Sequence, residues 1–507
     1  MEYVKIKFFG AAKRVTGSCH MLIINGRKIL LDCGLLQGND ESDVGNENFN
    51  FNPKEIEFVI LSHAHIDHSG RIPLLYKRGF KGTVLCTKAT KDLCSVMLPD
   101  SGYIQEMEVE WKNRKRKRQG LLPIEPLYTS KIAELSTYIF TGYNYDEMID
   151  VFPGLKIRFK DAGHLLGSAI VELFVEEKDN EKIKICYTGD LGNENLPLIK
   201  KPTTIDYADY VIMESTYGNR YHSELDKELF KLAHIIQKTI SRGGNVIIPS
   251  FAVGRTQDVL YVLNNYVENE ILKDINVYVD SPLASEATKI FKNHEDDFKE
   301  EIIEMILNGD HPLEFDGLKF TGSPAESMNL NKVQNGAIII SASGMCEAGR
   351  IRHHLKHNLW RPESSIVFVG YQAEGTLGRS LIEGAKKAKI FGEEIAVNAE
   401  IYNLEGMSGH ADRAGLYKFI TSFKEKPKEI ILVHGDKESQ ESFYELLKSN
   451  DYKARIASLG ETYFIDEDEI RNYDLRNKLI KTIEDFGEIN EINKNDILRR
   501  IQEIIVQ

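Results

Sequence analysis

No stretch of this 507-residue chain approaches the ~20 consecutive apolar residues needed to span a bilayer. Residues 1–9 alternate apolar and polar like a strand and lack the apolar core of a signal peptide. No membrane anchor is therefore expected. The six cysteines (Cys19, Cys33, Cys86, Cys94, Cys186 and Cys346) are scattered without CxxC spacing. In a chain of this length they read as reduced, mostly buried thiols, so the expected compartment is the cytoplasm. A basic excess is also missing: 64 Lys and Arg stand against 77 Asp and Glu, a formal net charge of −13. That argues against a nonspecific polyanion binder, which usually shows a basic excess. A nucleic-acid enzyme stays open, because bound metal and local basic groups reverse the sign of the field inside a cleft.

What is present is an ordinary soluble composition, 42% hydrophobic and 28% charged. The length suggests about two to four domains. One stretch dominates: Ser62-His63-Ala64-His65-Ile66-Asp67-His68-Ser69-Gly70, directly after the largely apolar residues 56–61. The spacing predicts a buried strand running into a polar loop. Side chains two apart at a strand end point the same way, so His63 and His65 can share one ion. Asp67 and His68 are placed to reach a second. Imidazole with carboxylate suits zinc best, with manganese or iron next.

The same context recurs. Asp32 ends a strand-like run, before the turn signal Cys33-Gly34, where an acid can orient a histidine ligand from behind. His164 lies between Gly163 and Gly167 after a strand-like run at 156–159, and Asp190 follows another at 183–188. Several strand ends delivering polar residues to one sheet edge is how a scaffold assembles a metal site from distant sequence. Residues 89–140 read as mostly helical. They contain the densest basic run, 112–118, which suits either a phosphate backbone or a solvated helix face.

From about 207 to 398, strand, small-residue loop and helix repeat, which implies a parallel sheet with its functional loops on one edge. Glu214 follows one such strand, and Arg255 lies in the small-residue loop 250–256 that leads into a helix. The loop holding Ser341, Ser343 and Gly344 can cradle a phosphate through amides and hydroxyls, or can be an ordinary turn. His353 and His354, beside Arg350 and Arg352, offer a further substrate-facing surface. His410 lies in Ser408-Gly409-His410-Ala411-Asp412, and His434 again follows an apolar run. The charged tail beyond 465 carries apolar residues at helical spacing, suited to packing on the core or pairing subunits in a homodimer.

With these residues in view, the chain from 1 to about 465 resembles the metallo-β-lactamase-fold hydrolases, and among them the β-CASP nucleases. Asp32 matches the first family motif, His63-x-His65-x-Asp67-His68 the second, His164 the third and Asp190 the fourth. Glu214, His410 and His434 match the three motifs of the β-CASP region. The resemblance implies an α/β architecture, an αββα sandwich (1–206 and 399–465) interrupted by a β-CASP domain (207–398) and followed by a helical tail (466–507). It further implies that His63, His65 and His164 hold one zinc, that Asp67, His68 and His434 hold another, and that Asp190 bridges them. Asp67 would also hold the proton of an attacking water. His410 would protonate the leaving 3′-oxygen while Glu214 keeps it cationic, and Arg255, Ser341, Ser343 and Gly344 would meet substrate. Histidine rather than valine at 434 favours RNA over DNA within this family, so the expected activity is an RNA-cleaving, internally cutting phosphodiesterase. A DNA nuclease, a thioester or lactone hydrolase, and a non-catalytic RNA-binding scaffold are the rival expectations. No KH-type module with its GXXG loop precedes the first strand, so substrate selection would fall to the cleft, the 112–118 run, the tail or a partner.

Overall fold

Two seven-stranded sheets lie face to face in the computed structural model, which describes residues 4–176 and 182–465. The first runs, edge to edge, Thr462–Phe464, Lys5–Phe8, His20–Ile24, Arg27–Leu31, Ile56–Ile60, Thr83–Thr87 and Phe140–Tyr143. The second runs Ala454–Ile456, Glu429–Val433, Tyr210–Glu214, Lys182–Tyr187, Ala169–Glu176, Leu155–Asp161 and Met148–Phe152. Period-two alternation decides which side chains meet between them. Ile6 and Phe8 from the first sheet share a core with Leu155, Ile157 and Phe159 from the second, while Lys156, Arg158 and Lys160 point away. On strands buried on both faces the run becomes continuous. Ile431 and Val433 face the other sheet, whereas Ile430 and Leu432 sit beneath the outer helices Arg413–Thr421 and Lys437–Ser449. Helices outside both sheets complete the αββα sandwich.

The inserted cap is a six-stranded, all-parallel sheet in the order Leu318–Phe320, Asn276–Val279, Ala337–Ser341, Val246–Pro249, Ser365–Phe368 and Glu400–Asn403. Pairing assigns Tyr210–Glu214 to the sandwich, between Lys182–Tyr187 and Glu429–Val433, and Glu400–Asn403 to the cap. Sheet pairing thus passes from the sandwich to the cap after Glu214 and includes Asn403 in the cap. The cap docks on the long helix Lys88–Arg118, whose Leu93 shares a core with Phe291 of the cap helix Pro282–Asn293. His294 Nε2 and Asp92 Oδ2 meet across that junction at 2.8 Å. The tail expected to be helical, 466–507, lies outside the described residues. Among the described residues no helix is long and apolar enough to cross a membrane.

Candidate metal centre

The donor side chains leave the ends of the central strands of both sheets and converge between them. Asp32 follows Arg27–Leu31, and Ser62 and His63 follow Ile56–Ile60. His164 lies just beyond Leu155–Asp161, Asp190 just beyond Lys182–Tyr187, and His434 directly after Glu429–Val433. Close backbone approach lets the loops meet. A methyl group on Gly34 would fall 1.6 Å from the Asp67 carbonyl oxygen, and one on Gly192 would fall 1.6 Å from that of Gly163. Only glycine fits at either crossing.

Two donor groups result. In the first, His65 Nδ1 lies 3.1 Å from His63 Nε2 and 3.2 Å from His164 Nε2. Asp190 Oδ2 stands 3.4 Å from His63 Nε2 and 3.6 Å from His164 Nε2. In the second, His68 Nε2 lies 3.2 Å from His434 Nε2, with Asp67 Oδ2 3.4 Å from the latter. Asp190 turns its other oxygen to this group: Oδ1 is 3.2 Å from His68 Nε2. That oxygen is buried and accepts no hydrogen bond among the described residues. A buried carboxylate oxygen left without a donor is costly, and converging imidazole nitrogens satisfy one another poorly. A cation in each group removes both penalties, so the donors fit metal binding, and their nitrogen-rich chemistry suits zinc.

In the first group protonation points the same way. Burial holds His63 and His164 well below the usual imidazole range and lowers His65 to about 4, leaving neutral rings with lone pairs to offer. In the second, burial would lower His68, but Asp190, Asp67 and Asp32 outweigh it and raise the ring well above the usual imidazole range, a proton that a cation there would displace. Burial alone would raise Asp67, but His68 and His434 overcome it and bring it down to about 2. Asp190 is likewise held well below the carboxylate range by His434, His68 and His63, against its desolvation.

The rings of His63, His68 and His434 are each aimed by a partner behind them. Asp32 is fully buried and accepts hydrogen bonds from Ser62 N at 2.7 Å, Ser62 Oγ at 2.7 Å and Tyr187 Oη at 2.6 Å. His68 Nδ1 lies 2.7 Å from the same carboxylate, which leaves Nε2 for a metal. The Ser62 hydroxyl, donating to Asp32, accepts from His63 Nδ1 at 3.0 Å. Thr216 Oγ1 sits 3.0 Å from His434 Nδ1. Asp32 is thus where its orienting role requires. Ser62, Tyr187 and Thr216 were not foreseen: Ser62 stands inside the motif itself and Thr216 two residues past Glu214, but a hydroxyl carries no donor signature of its own.

A third cluster abuts the first. His410 Nδ1 is 3.1 Å from Glu214 Oε1, and its Nε2 faces Asp190 Oδ2 at 4.0 Å. Glu214 is fully buried and fixed by the Leu191 and Thr216 amides at 2.6 and 3.3 Å. Burial would lower His410, but Glu214 and Asp190 prevail and raise it to about 9. The ring of Tyr217 packs 6.0 Å from that of His410.

The four substrate-facing expectations part company. Arg255, buried and paired with Asp258 Oδ2 at 3.1 Å, lies beside the cluster: a methyl on Gly409 would be 3.4 Å from its Nη2 and 3.2 Å from His164 Cε1. The other three bond within the cap. Ser341 Oγ is buried and donates to the Asp280 carbonyl at 2.8 Å, so it has no hydroxyl proton left for a phosphate. Ser343 closes its own loop onto Ala348 at 3.3 Å, and the Gly344 carbonyl accepts from Gln372 Nε2 at 3.1 Å. His354, read as substrate-facing, is buried against Asp280 Oδ2 at 2.6 Å, and the ring of His353 lies 4.5 Å from that of Phe391.

Comparison with known proteins agrees with this geometry. Family profiles match residues 12–96 (metallo-beta-lactamase superfamily), 256–381 (Beta-Casp domain) and 394–457 (Zn-dependent metallo-hydrolase RNA specificity domain). The chain is 35% identical to a ribonuclease of Thermus thermophilus over 90% of its own length and 99% of that protein. It belongs to the β-CASP family of metallo-β-lactamase-fold hydrolases. Other β-CASP relatives are an RNase J-like protein of Methanocaldococcus jannaschii, 34% identical over 87% of this chain and 94% of that one, and the transcription termination factor FttA of the same organism, 32% identical over 86% and 67%. A crystal structure of a protein of unknown function from Enterococcus faecalis superposes at TM-score 0.50 and 14% identity, over 91% of this chain and 100% of that one. The last is a likeness of fold alone.

Proposed function

We propose that the chain is a two-zinc ribonuclease that cuts RNA internally and leaves 5′-phosphate and 3′-hydroxyl ends. The observation that carries this reading is the Asp190 carboxylate, with Oδ2 toward His63 and His164 and the unpartnered Oδ1 toward His68. His63, His65 and His164 would hold one ion and Asp67, His68 and His434 the other, with Asp190 shared. Manganese suits the same donors second best. Two ions there would supply Lewis acidity toward phosphoryl oxygens and a water acidic enough to act as nucleophile near neutral pH.

The chain's own groups do the rest. Asp67, ionised and only partly buried, accepts the proton of the attacking water. His410, kept cationic by Glu214, donates from Nε2 to the departing 3′-oxygen. Arg255 brings positive charge beside the cluster for the scissile phosphate. The matched RNA specificity domain and the relative named a ribonuclease support RNA as substrate. Six free cysteines, all buried, support a reducing, cytoplasmic setting.

The test digests one labelled RNA, carrying either a 5′-hydroxyl or a 5′-monophosphate, beside DNA of matched sequence. Internal cuts in RNA with either end, and little in DNA, are expected. Equal cutting of DNA overturns the substrate, and mononucleotide release from the monophosphate form alone overturns internal cutting.

A further inference from the structure

The helix Lys88–Arg118 starts at the site and ends far from it. The Thr87 and Thr90 hydroxyls donate to the Gly167 carbonyl, three residues past His164, at 2.6 and 2.8 Å. From Thr90 to Lys115 the helix, with Pro99 inside it, follows a path of at most about 38 Å at ~1.5 Å per residue. Its far end presents Lys112, Arg114, Lys115, Arg116, Lys117 and Arg118 on a chain whose net charge is −13.

That tip is a built structure. The return segment is pinned to the helix by Asn113, which bonds the Ile124 carbonyl and amide at 2.9 and 2.8 Å, and by Arg116 Nε on the Leu122 carbonyl at 2.7 Å. Acids on the preceding turn answer only part of the charge: Glu108 lies 3.8 Å from Lys112 and Glu110 lies 2.5 Å from Arg114. Among the described residues no ion pair engages Lys115, Arg116, Lys117 or Arg118. Trp111, 57% exposed with Lys115 Nζ 3.4 Å over its ring, and Leu122, 81% exposed, add apolar surface beside the cations. Exposed cations interleaved with an aromatic face match single-stranded nucleic acid: phosphates take the charges and bases stack.

We infer that this arm is a second RNA-docking surface, separate from the cleft, which holds a strand whose other part is being cut. The inference rests on the ribonuclease reading. A path of at most about 38 Å corresponds to about 11 stacked nucleotides at ~3.4 Å each, so the arm serves RNAs of about that length and above.

Binding is measured on the full chain carrying His410→Gln, so that the RNA survives, with and without Lys115→Gln, Lys117→Gln and Arg118→Gln together. The probes are fluorescein-labelled, unstructured RNAs of about 8 and about 40 nucleotides. The three substitutions should weaken the longer RNA about tenfold in ~0.1 M salt and flatten its log–log salt slope by about two, at ~0.7 per phosphate contact. The shorter RNA should bind as before, and with His410 intact the arm variant should cut it at the unaltered rate. Unchanged affinity and slope for the longer RNA, or equal loss at both lengths, overturns the inference. So does a change in oligomeric state by light scattering, which would mark the arm as a protein-pairing surface. Failure of the ribonuclease reading is distinct: the chain with both His410 and the arm intact would then cut neither RNA.

Discussion

Two residues of the centre hold a backbone conformation that side chains other than glycine rarely adopt: Asp32 at φ 60° and His434 at φ 47°. Such strain costs on the order of 1–3 kcal/mol per residue and persists only where the surroundings dictate it. Here the dictating contacts are visible. Four donors surround the Asp32 carboxylate, and Thr216 holds the His434 ring from behind. The donors themselves were legible in the sequence because few residue types bind zinc and each follows an apolar run. Their supports were not: Tyr187 reaches Asp32 across 155 residues and Thr216 reaches His434 across 218, and nothing local announces either contact. Thr216→Val should therefore weaken metal affinity by about tenfold without loss of fold, read by competition with a chromogenic chelator, and excess zinc should restore cleavage. His410→Gln should lower cleavage by at least about a hundredfold while metal content stays at the wild-type level, read by single-turnover kinetics and elemental analysis. Loss of metal in that variant would instead make His410 a ligand.

At the scale of elements, strands were the readable part. The runs before Asp32, His63, Asp190, Glu214 and His434 are strands as their composition requires, because both faces of the central strands are buried. Edges were less readable. The short strand Glu400–Asn403 has half-buried residues throughout and pairs with Ser365–Phe368, a partner no local pattern names. The Ser341 to Arg350 loop drew a phosphate-binding reading from its small residues, yet its strand-end neighbour Asp280 explains it better. The buried Asp280 carboxylate accepts from Ser327 Oγ at 2.6 Å, Arg350 Nη1 at 2.7 Å and His354 Nε2 at 2.6 Å, and also from Thr321 Oγ1. It ties that loop, and the helix Ile351–Asn358 after it, to the cap sheet. Burial alone would raise this carboxyl, but the bonds from His354, Ser327, Thr321 and Arg350 hold it well below its usual range. A depressed folded-state pKa gives stability that is complete above the unfolded value near 3.8 and is lost as pH falls through the folded one. Asp280→Asn should accordingly cost about 3 kcal/mol near pH 7, in urea unfolding followed by near-ultraviolet circular dichroism. Its deficit against wild type should shrink below about pH 4; a deficit independent of pH would show that packing rather than charge sets the cost.

At the scale of the whole molecule, two α/β units divide the work. The sandwich brings strand ends from distant sequence to one edge, and the cap adds Arg255 against the His164 loop, where a methyl on Gly254 would come within 2.7 Å of Leu165. The αββα class and the inserted cap were legible because their motifs occur in order along the chain. The docking of the cap on the helix Lys88–Arg118 was not, because Leu93 and Phe291 are ordinary core residues in both units. An acidic chain acting on a polyanion needs its positive charge concentrated. The metal pair, Arg255 and His410 would supply it at the site, and the arm would supply it outside. If two ions shared across Asp190 make the catalyst, as proposed, zinc titrated into metal-stripped protein restores single-turnover cleavage of a labelled RNA as both sites fill. Activity should climb to a plateau at two equivalents of zinc per chain. A plateau at one equivalent, or cleavage before any zinc is added, would contradict that proposal.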